Sequence, residues 1–243
     1  MTAGSTRIGL LILGLVVSGL FISLGNWQLG RATEKSVALA LFENRAASPT
    51  IQLDRIDIAT LTFKVGHSAL TIGTYRPGTT VLLDNQSLGG RIGYLVYTAY
   101  RIGETANHIL VNRGWIEARA DPRRLPEIGP TPTSPMVKGR LSAPPAEGIR
   151  LQGAETIEPM GTGIWRVQHI NFDSLAKHFG LDLVPVTLLL NNDMPNGFVR
   201  NWLPPGADQA KHLGYAFQWF ALALALVVIS VGLFVRSKKQ ART

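Results

Sequence analysis

Residues 8–30 read IGLLILGLVVSGLFISLGNWQLG and residues 213–235 read LGYAFQWFALALALVVISVGLFV; neither run of 23 contains a charged side chain. At ~1.5 Å per residue each reaches roughly 34 Å as a helix, enough to cross the hydrocarbon core of a bilayer. The first run is long for a secretory signal, and Leu24-Gly25-Asn26-Trp27 offers no small-x-small cleavage site, so it reads as an uncleaved anchor. The expected architecture is a membrane α+β chain. Transmembrane helices at 8–30 and 213–235 flank one β-rich, mostly antiparallel extracytoplasmic domain with short helices, at 31–212.

Orientation follows from the basic residues near the spans, which favour the cytoplasmic side. Arg7 precedes the first span, and Arg236, Lys238, Lys239 and Arg242 follow the second; Arg31 and Lys35 on the other side compete weakly. Residues 1–7 and the basic tail 236–243 are therefore expected in the cytoplasm and the central domain outside it. The absence of an Arg- and Ser-rich transit segment favours a bacterium, with the spans in the inner (plasma) membrane and the domain in the periplasm. Those five basic end residues account for much of the net charge of +8, since the remainder holds nineteen basic against sixteen acidic residues. The charge thus points to membrane lipid and topology, with no nucleic-acid footprint. Trp27 lies where an interfacial aromatic belongs.

The chain has no cysteine, which excludes disulfides, thiolate metal sites and covalent c-type haem attachment. It contains no Walker loop, dinucleotide fingerprint, H-E-x-x-H or G-x-S-x-G, so a non-enzymatic role is expected. In the central segment, residues 31–46 carry helical spacing (Val37, Ala38, Leu41, Phe42), and this helix is free to continue the first span until Pro49. Residues 69–75 read as a strand closed by the turn Arg76-Pro77-Gly78, and residues 80–83 as a second short run. Gly89-Gly90 marks a hairpin before the alternating strand 92–102, and 108–111 leads into Asn112-Arg113-Gly114-Trp115. Five prolines mark 118–136 as a surface loop. Residues 137–141, 164–168 and 186–190 are further strands, and 171–179 is a short helix capped by Asn171 and stopped by Gly180.

Of the five histidines, His67, His108, His169 and His178 read as ordinary surface or packed residues. His212 has a different address. It opens the second span, no charge follows until Arg236, and Tyr215, Ala216 and Trp219 follow at three, four and seven residues on one helical face. An imidazole beside aromatics at membrane depth suits the iron of an apolar macrocycle. The same residues also suit a plain interfacial belt, and these two readings stand side by side. Gly14/Ser18 and Ala221/Ala225 are small-xxx-small spacings that permit helix contact.

Three segments together resemble a known family. Gly25-Asn26-Trp27-Gln28-Leu29, with Arg31, Glu34 and Lys35, is similar to the G-x-W-Q-L-x-R-x-x-E-K signature that follows the first span of the surfeit-locus family of cytochrome c oxidase assembly factors. Val111-Asn112-Arg113-Gly114-Trp115-Ile116 resembles that family's V-N-R-G-W-V strand end. His212-Leu213-Gly214-Tyr215-Ala216-Phe217-Gln218-Trp219-Phe220 resembles its H-x-x-Y-A-x-x-W-F opening of the second span. The chain departs from the pattern at Ala99, where the family often has Pro, and at Ala210-Lys211, where it often has Asn. The resemblance implies a non-enzymatic assembly factor for haem-copper oxidases. Such a factor would bind haem a transiently and assist its insertion into, or stabilisation in, oxidase subunit one, alongside other oxidase assembly factors. It implies His212 as the ligand of the haem iron, with Trp219 and Tyr215 near the porphyrin; Arg31 and Lys211 are the cations at the right depth for its propionates. A haem-independent scaffold for oxidase subunits and an unrelated membrane-tethered periplasmic sensor or binding module are the competing readings.

Overall fold

The computed structural model describes residues 3–119, 121, 124–145, 156–202 and 208–240. In chain order its elements are helix α1 (Ala3–Ala47), strands β1 (Ile51–Gln52), β2 (Ser68–Leu88), β3 (Arg91–Ile102), β4 (Asn107–Glu117), β5 (Met136–Ser142), β6 (Glu158–Gly161) and β7 (Ile164–Val167), helix α2 (Phe172–Phe179), strand β8 (Asp182–Leu190) and helix α3 (Gln209–Gln240). Two short 3₁₀ turns, Leu53–Arg55 and Ile58–Lys64, lie between β1 and β2. The chain divides into two compact units, Met1–Phe42 with Leu203–Thr243, and Glu43–Trp202.

The first unit is a helical hairpin. α1 passes through residues 30 and 31 without a break and stops just before Pro49. Residues Ile8–Arg45 and Gln209–Arg236 are each long and apolar enough to cross a membrane. The helices run antiparallel, since Gly14 meets Ser230, Gly25 meets Phe220 and Lys35 meets Asp208. Burial on α1 falls at Gly14, Ser18, Gly25 and Ala32, with half-buried Leu11, Phe21, Gln28 and Lys35 between them. On α3 it falls at Ala216 and Ala223, with half-buried His212, Trp219, Leu226 and Ser230. Steps of three and four residues on both helices make a seam of period 3.5, the spacing of a left-handed supercoil. Because lipid is as apolar as leucine, the seam is selected by side-chain size, and large residues such as Leu10, Leu20, Leu224 and Leu233 face outward. Gly14 and Ser18 lie in the seam as their spacing suggests. Ala221 and Ala225 do not: both are exposed, and Ala216 and Ala223 take that place.

The second unit is β-rich. β2 pairs with β3, β3 with β4, β4 with β8, β8 with β5 and β5 with β2, so five strands close into a ring. β7 adds to the far half of β2 and β6 to β7. Alternate residues of all five ring strands, among them Tyr75, Tyr100, Ile109, Val137, Val186 and Leu188, form one buried cluster. Most pairings are antiparallel, but β4–β8, β2–β7 and β1–β2 are parallel.

Residues 69–75 and 80–83 belong to a single strand. Tyr75 pairs with Tyr100 and Thr80 with Thr98, so Arg76-Pro77-Gly78 is a bulge in β2 against one continuous partner. Pro77 sits in that bulge, where no ladder hydrogen bond is asked of it. Ala99, where a proline would be possible by family pattern, donates its backbone N–H to Thr79 Oγ1 at 3.2 Å, a bond proline cannot make. Gly89 and Gly90, at φ 58° and 78°, form the expected two-residue hairpin. Asn171 Oδ1 accepts the Ser174 N–H and Gly180 is left-handed, capping α2 at both ends. The proline-rich segment is more than surface: Ile128 packs beneath it against Leu82, Tyr94 and Val96.

Candidate haem site at the mouth of the helical hairpin

His212 is the fourth residue of α3, in the turn where apolar sequence begins. Its Nδ1 lies 2.7 Å from Oε1 of Gln28 on α1. Its Nε2 lies 3.6 Å from Oδ2 of Asp208, one turn earlier. Asp208 in turn meets Lys35 Nζ at 3.4 Å. The Asp208 carboxyl is held below its ordinary pKa; desolvation acts to raise it, and its own backbone N–H, Lys35 and His212 outweigh that. The mouth therefore holds four polar side chains in one set, Gln28 and Lys35 of α1, His212 of α3 and Asp208 just before it.

Two turns deeper, Trp219 meets Phe21 with ring centroids 5.5 Å apart. Phe220 fills the space beside Gly25, where a Cβ would stand only 2.6 Å from the ring. His212, Ala216 and Trp219 thus share the seam. Tyr215 does not share it; 51% of its surface is exposed, and it lies on the outer side of α3 with Phe217. Arg31 is one turn beyond Gln28, ion-paired to Glu34 at 2.8 Å and lying over the Trp27 ring at 5.8 Å. Lys211 is exposed next to His212.

Reasoning from sequence singled out His212 and Trp219, which the fold brings to one seam, and Arg31, Lys211 and Tyr215, which it leaves on the rim. It did not single out Gln28, Asp208 or Phe21 as partners. Gln28 was visible only as one letter of the segment that ends the first span, because its partner is 184 residues away.

Among the described residues no group of three or more His, Asp or Glu side chains converges as a site for a bare metal ion. At the opposite end of the hairpin, a cavity of about 510 Å³ is lined by Leu10, Gly14, Val17, Leu226, Ser230 and Phe234, among others. Leu226 is fourteen residues from His212, about 21 Å along a helix axis, so that cavity is separate from the mouth.

In the second unit, the segment at the end of β4 serves structure. Asn112 Oδ1 accepts the Gly114 N–H at 3.1 Å, and the Trp115 indole donates to Gln86 O at 2.9 Å. Arg113 is buried, donates from Nε to Asn196 O at 3.0 Å and lies over the Phe198 ring at 4.9 Å.

The SURF1 family model matches residues 15–224, from inside the first apolar helix to inside the second. A SURF1-like protein of Rickettsia conorii is 30% identical over 228 residues, covering 87% of this chain and 85% of that protein. SURF1-like proteins of Rickettsia felis and Rickettsia bellii are each 29% identical, over 229 and 233 residues, covering 89% and 88% of this chain and 93% and 86% of theirs. The similarity takes in both helices, the β-rich unit and both halves of the Gln28–His212 contact, and on that extent the chain belongs to the SURF1 family.

Proposed function

We propose that this chain is a membrane-anchored assembly factor for a haem-copper cytochrome c oxidase, which holds haem a at His212 and assists its insertion into, or stabilisation in, oxidase subunit one. Membership of a family known for oxidase assembly supports the first half. The observation that carries the second is the Gln28–His212 contact. The segment leaving the first apolar helix and the segment opening the second meet at one imidazole, at the edge of the apolar seam.

The residues fit such a group. A porphyrin fills four coordination positions of its iron, so one imidazole is enough where a bare ion needs several ligands. His212 would be the iron ligand, and the Trp219–Phe21 pair offers an aromatic wall deeper in the seam. Arg31 and Lys211 supply rim cations suited to propionates, and Tyr215 an exposed ring on the lipid side. Bound haem a would supply a redox-active iron and an apolar tail; the chain's own residues only bind, orient and release it. Activity as a carrier requires no catalytic group. The basic residues around the spans support cytoplasmic termini at 1–7 and 236–243, with residues 31–212 in the periplasm of a bacterium and the helices in its inner membrane. Subunit one and other assembly factors are the partners this role requires.

The test is the absorption spectrum of the chain purified from cells that make haem a, as native protein and as His212→Ala. Haem a should accompany the native chain and fall at least tenfold in the variant, with a smaller loss in Arg31→Ala and Lys211→Ala. A native chain without haem a, or equal occupancy in native protein and His212→Ala, overturns the haem reading. Full oxidase activity after deletion of the gene overturns the assembly role, with or without haem.

A further inference from the structure

We propose that Gln28 is a positioning residue that selects Nε2 of His212 as the ligating nitrogen; this rests on the haem reading of His212 and gives the site a second working residue. A side-chain carbonyl oxygen can only accept a hydrogen bond. With Gln28 Oε1 2.7 Å from Nδ1, a hydrogen bond between them requires the hydrogen of a neutral ring on Nδ1, which leaves the lone pair on Nε2. Asp208 Oδ2, at 3.6 Å, is too far from Nε2 for a hydrogen bond. Among the described residues, then, Nδ1 is hydrogen-bonded, while Nε2 faces the Asp208 carboxylate beyond hydrogen-bond reach. Iron ligation consumes the lone pair, and a hydrogen bond donated by the opposite nitrogen fixes both tautomer and ring plane.

Gln28 accepts without adding a charge to the mouth. It projects from α1 while His212 projects from α3, so the ring direction is set by the pairing of the two helices. Nε2 lies 3.6 Å from the Asp208 carboxylate, whose charge Lys35 offsets at 3.4 Å.

The experiment uses the full chain in detergent micelles. Histidine labelled with ¹⁵N reports the tautomer of His212 by long-range ¹H–¹⁵N correlation, with the signal identified by its loss in His212→Ala. Haem a is then titrated and followed by absorption. The native chain should show hydrogen on Nδ1. Gln28→Leu, which keeps an apolar helix, should move the ring to a mixture of tautomers and weaken haem a by about 10–100-fold, the usual effect of losing such a partner. Gln28→Glu, which restores an acceptor, should recover the Nδ1–H tautomer and most of the affinity. A native ring with hydrogen on Nε2 overturns the proposal. So does a Gln28→Leu protein with tautomer and affinity unchanged while the native chain takes up haem. A native chain that takes up no haem a overturns the reading of His212 instead, and the tautomer signal separates that failure from the role of Gln28.

Discussion

A guanidinium buried, among the described residues, without a carboxylate beside it has to be held by backbone carbonyls and ring faces, and Arg113 shows what such an arrangement accomplishes. Burial pushes its pKa down from the usual arginine value, yet the side chain stays charged. It spends that charge on Asn196 O and the Phe198 ring, while its own carbonyl accepts the Phe198 N–H at 2.7 Å. Trp115 and Val199 then exchange both backbone hydrogen bonds, at 2.8 and 3.0 Å. Gly114 between them sits at φ 117°, and a Cβ there would stand 2.8 Å from Val199 O. The segment V-N-R-G-W is thus a clamp on residues 196–200. Arg113→Leu should lower stability by about 1–3 kcal/mol, the cost of a lost charged hydrogen bond and an orphaned carbonyl; thermal unfolding followed by tryptophan emission measures it. At this scale the sequence exposed which residues matter and concealed what they touch. His212 stood out because it is the ionisable residue at the head of an apolar run. Gln28 and Asp208 did not, because their significance lies in a distance that no local spacing encodes.

The two long helices were legible as elements from charge alone, and their pairing was not. Both are apolar on every side, so no polarity marks the contact face; only residue size does. A Cβ added at Gly25 would stand 2.6 Å from the Phe220 ring, whereas one at Gly19 meets nothing within 4 Å. Gly25→Leu should therefore disrupt the hairpin while Gly19→Leu leaves it intact, although both add the same apolar bulk. Because the chain has no native cysteine, a Gly14→Cys, Ser230→Cys pair reads this out cleanly: oxidative cross-linking in membranes should be efficient alone and with Gly19→Leu, and fall sharply with Gly25→Leu. Equal cross-linking in both backgrounds would contradict the seam. Among the strands, the hairpin at Gly89-Gly90 and the caps of α2 could be read directly, since each is a local demand on φ or on one N–H. Arg76-Pro77-Gly78 was read as a turn and is a bulge. The same local bend serves either purpose, and only the partner strand decides between them.

For the whole molecule, the layout of two apolar helices around a β-rich domain was legible, and the closed ring was not. The β2–β3–β4 meander follows from short turns, but the parallel pairing of β4 with β8 joins residues 107–112 to 182–189 and has no local signature. Residues Glu43–Trp202 hold all of the buried clusters of the β-rich unit, together with their own tethers, such as Arg45 Nη1 to Val65 O at 2.7 Å and Trp202 Nε1 to Leu190 O at 2.9 Å. That segment, expressed alone, should fold cooperatively, with one unfolding transition by circular dichroism and the slowest amide exchange in β4 and β8; a molten, exchange-labile product would contradict its independence. The position of β8 in the ring also sets a schedule for biosynthesis. A ribosome delivers this chain from its amino end, and the ring stays open until Leu190 has emerged. Gln209, where α3 begins, follows only nineteen positions later. Closing the barrel and handing the last helix to the membrane machinery are thus nearly simultaneous events. A pause in translation once Leu190 has emerged would give the ring time to close first, and a missing pause would leave both to compete.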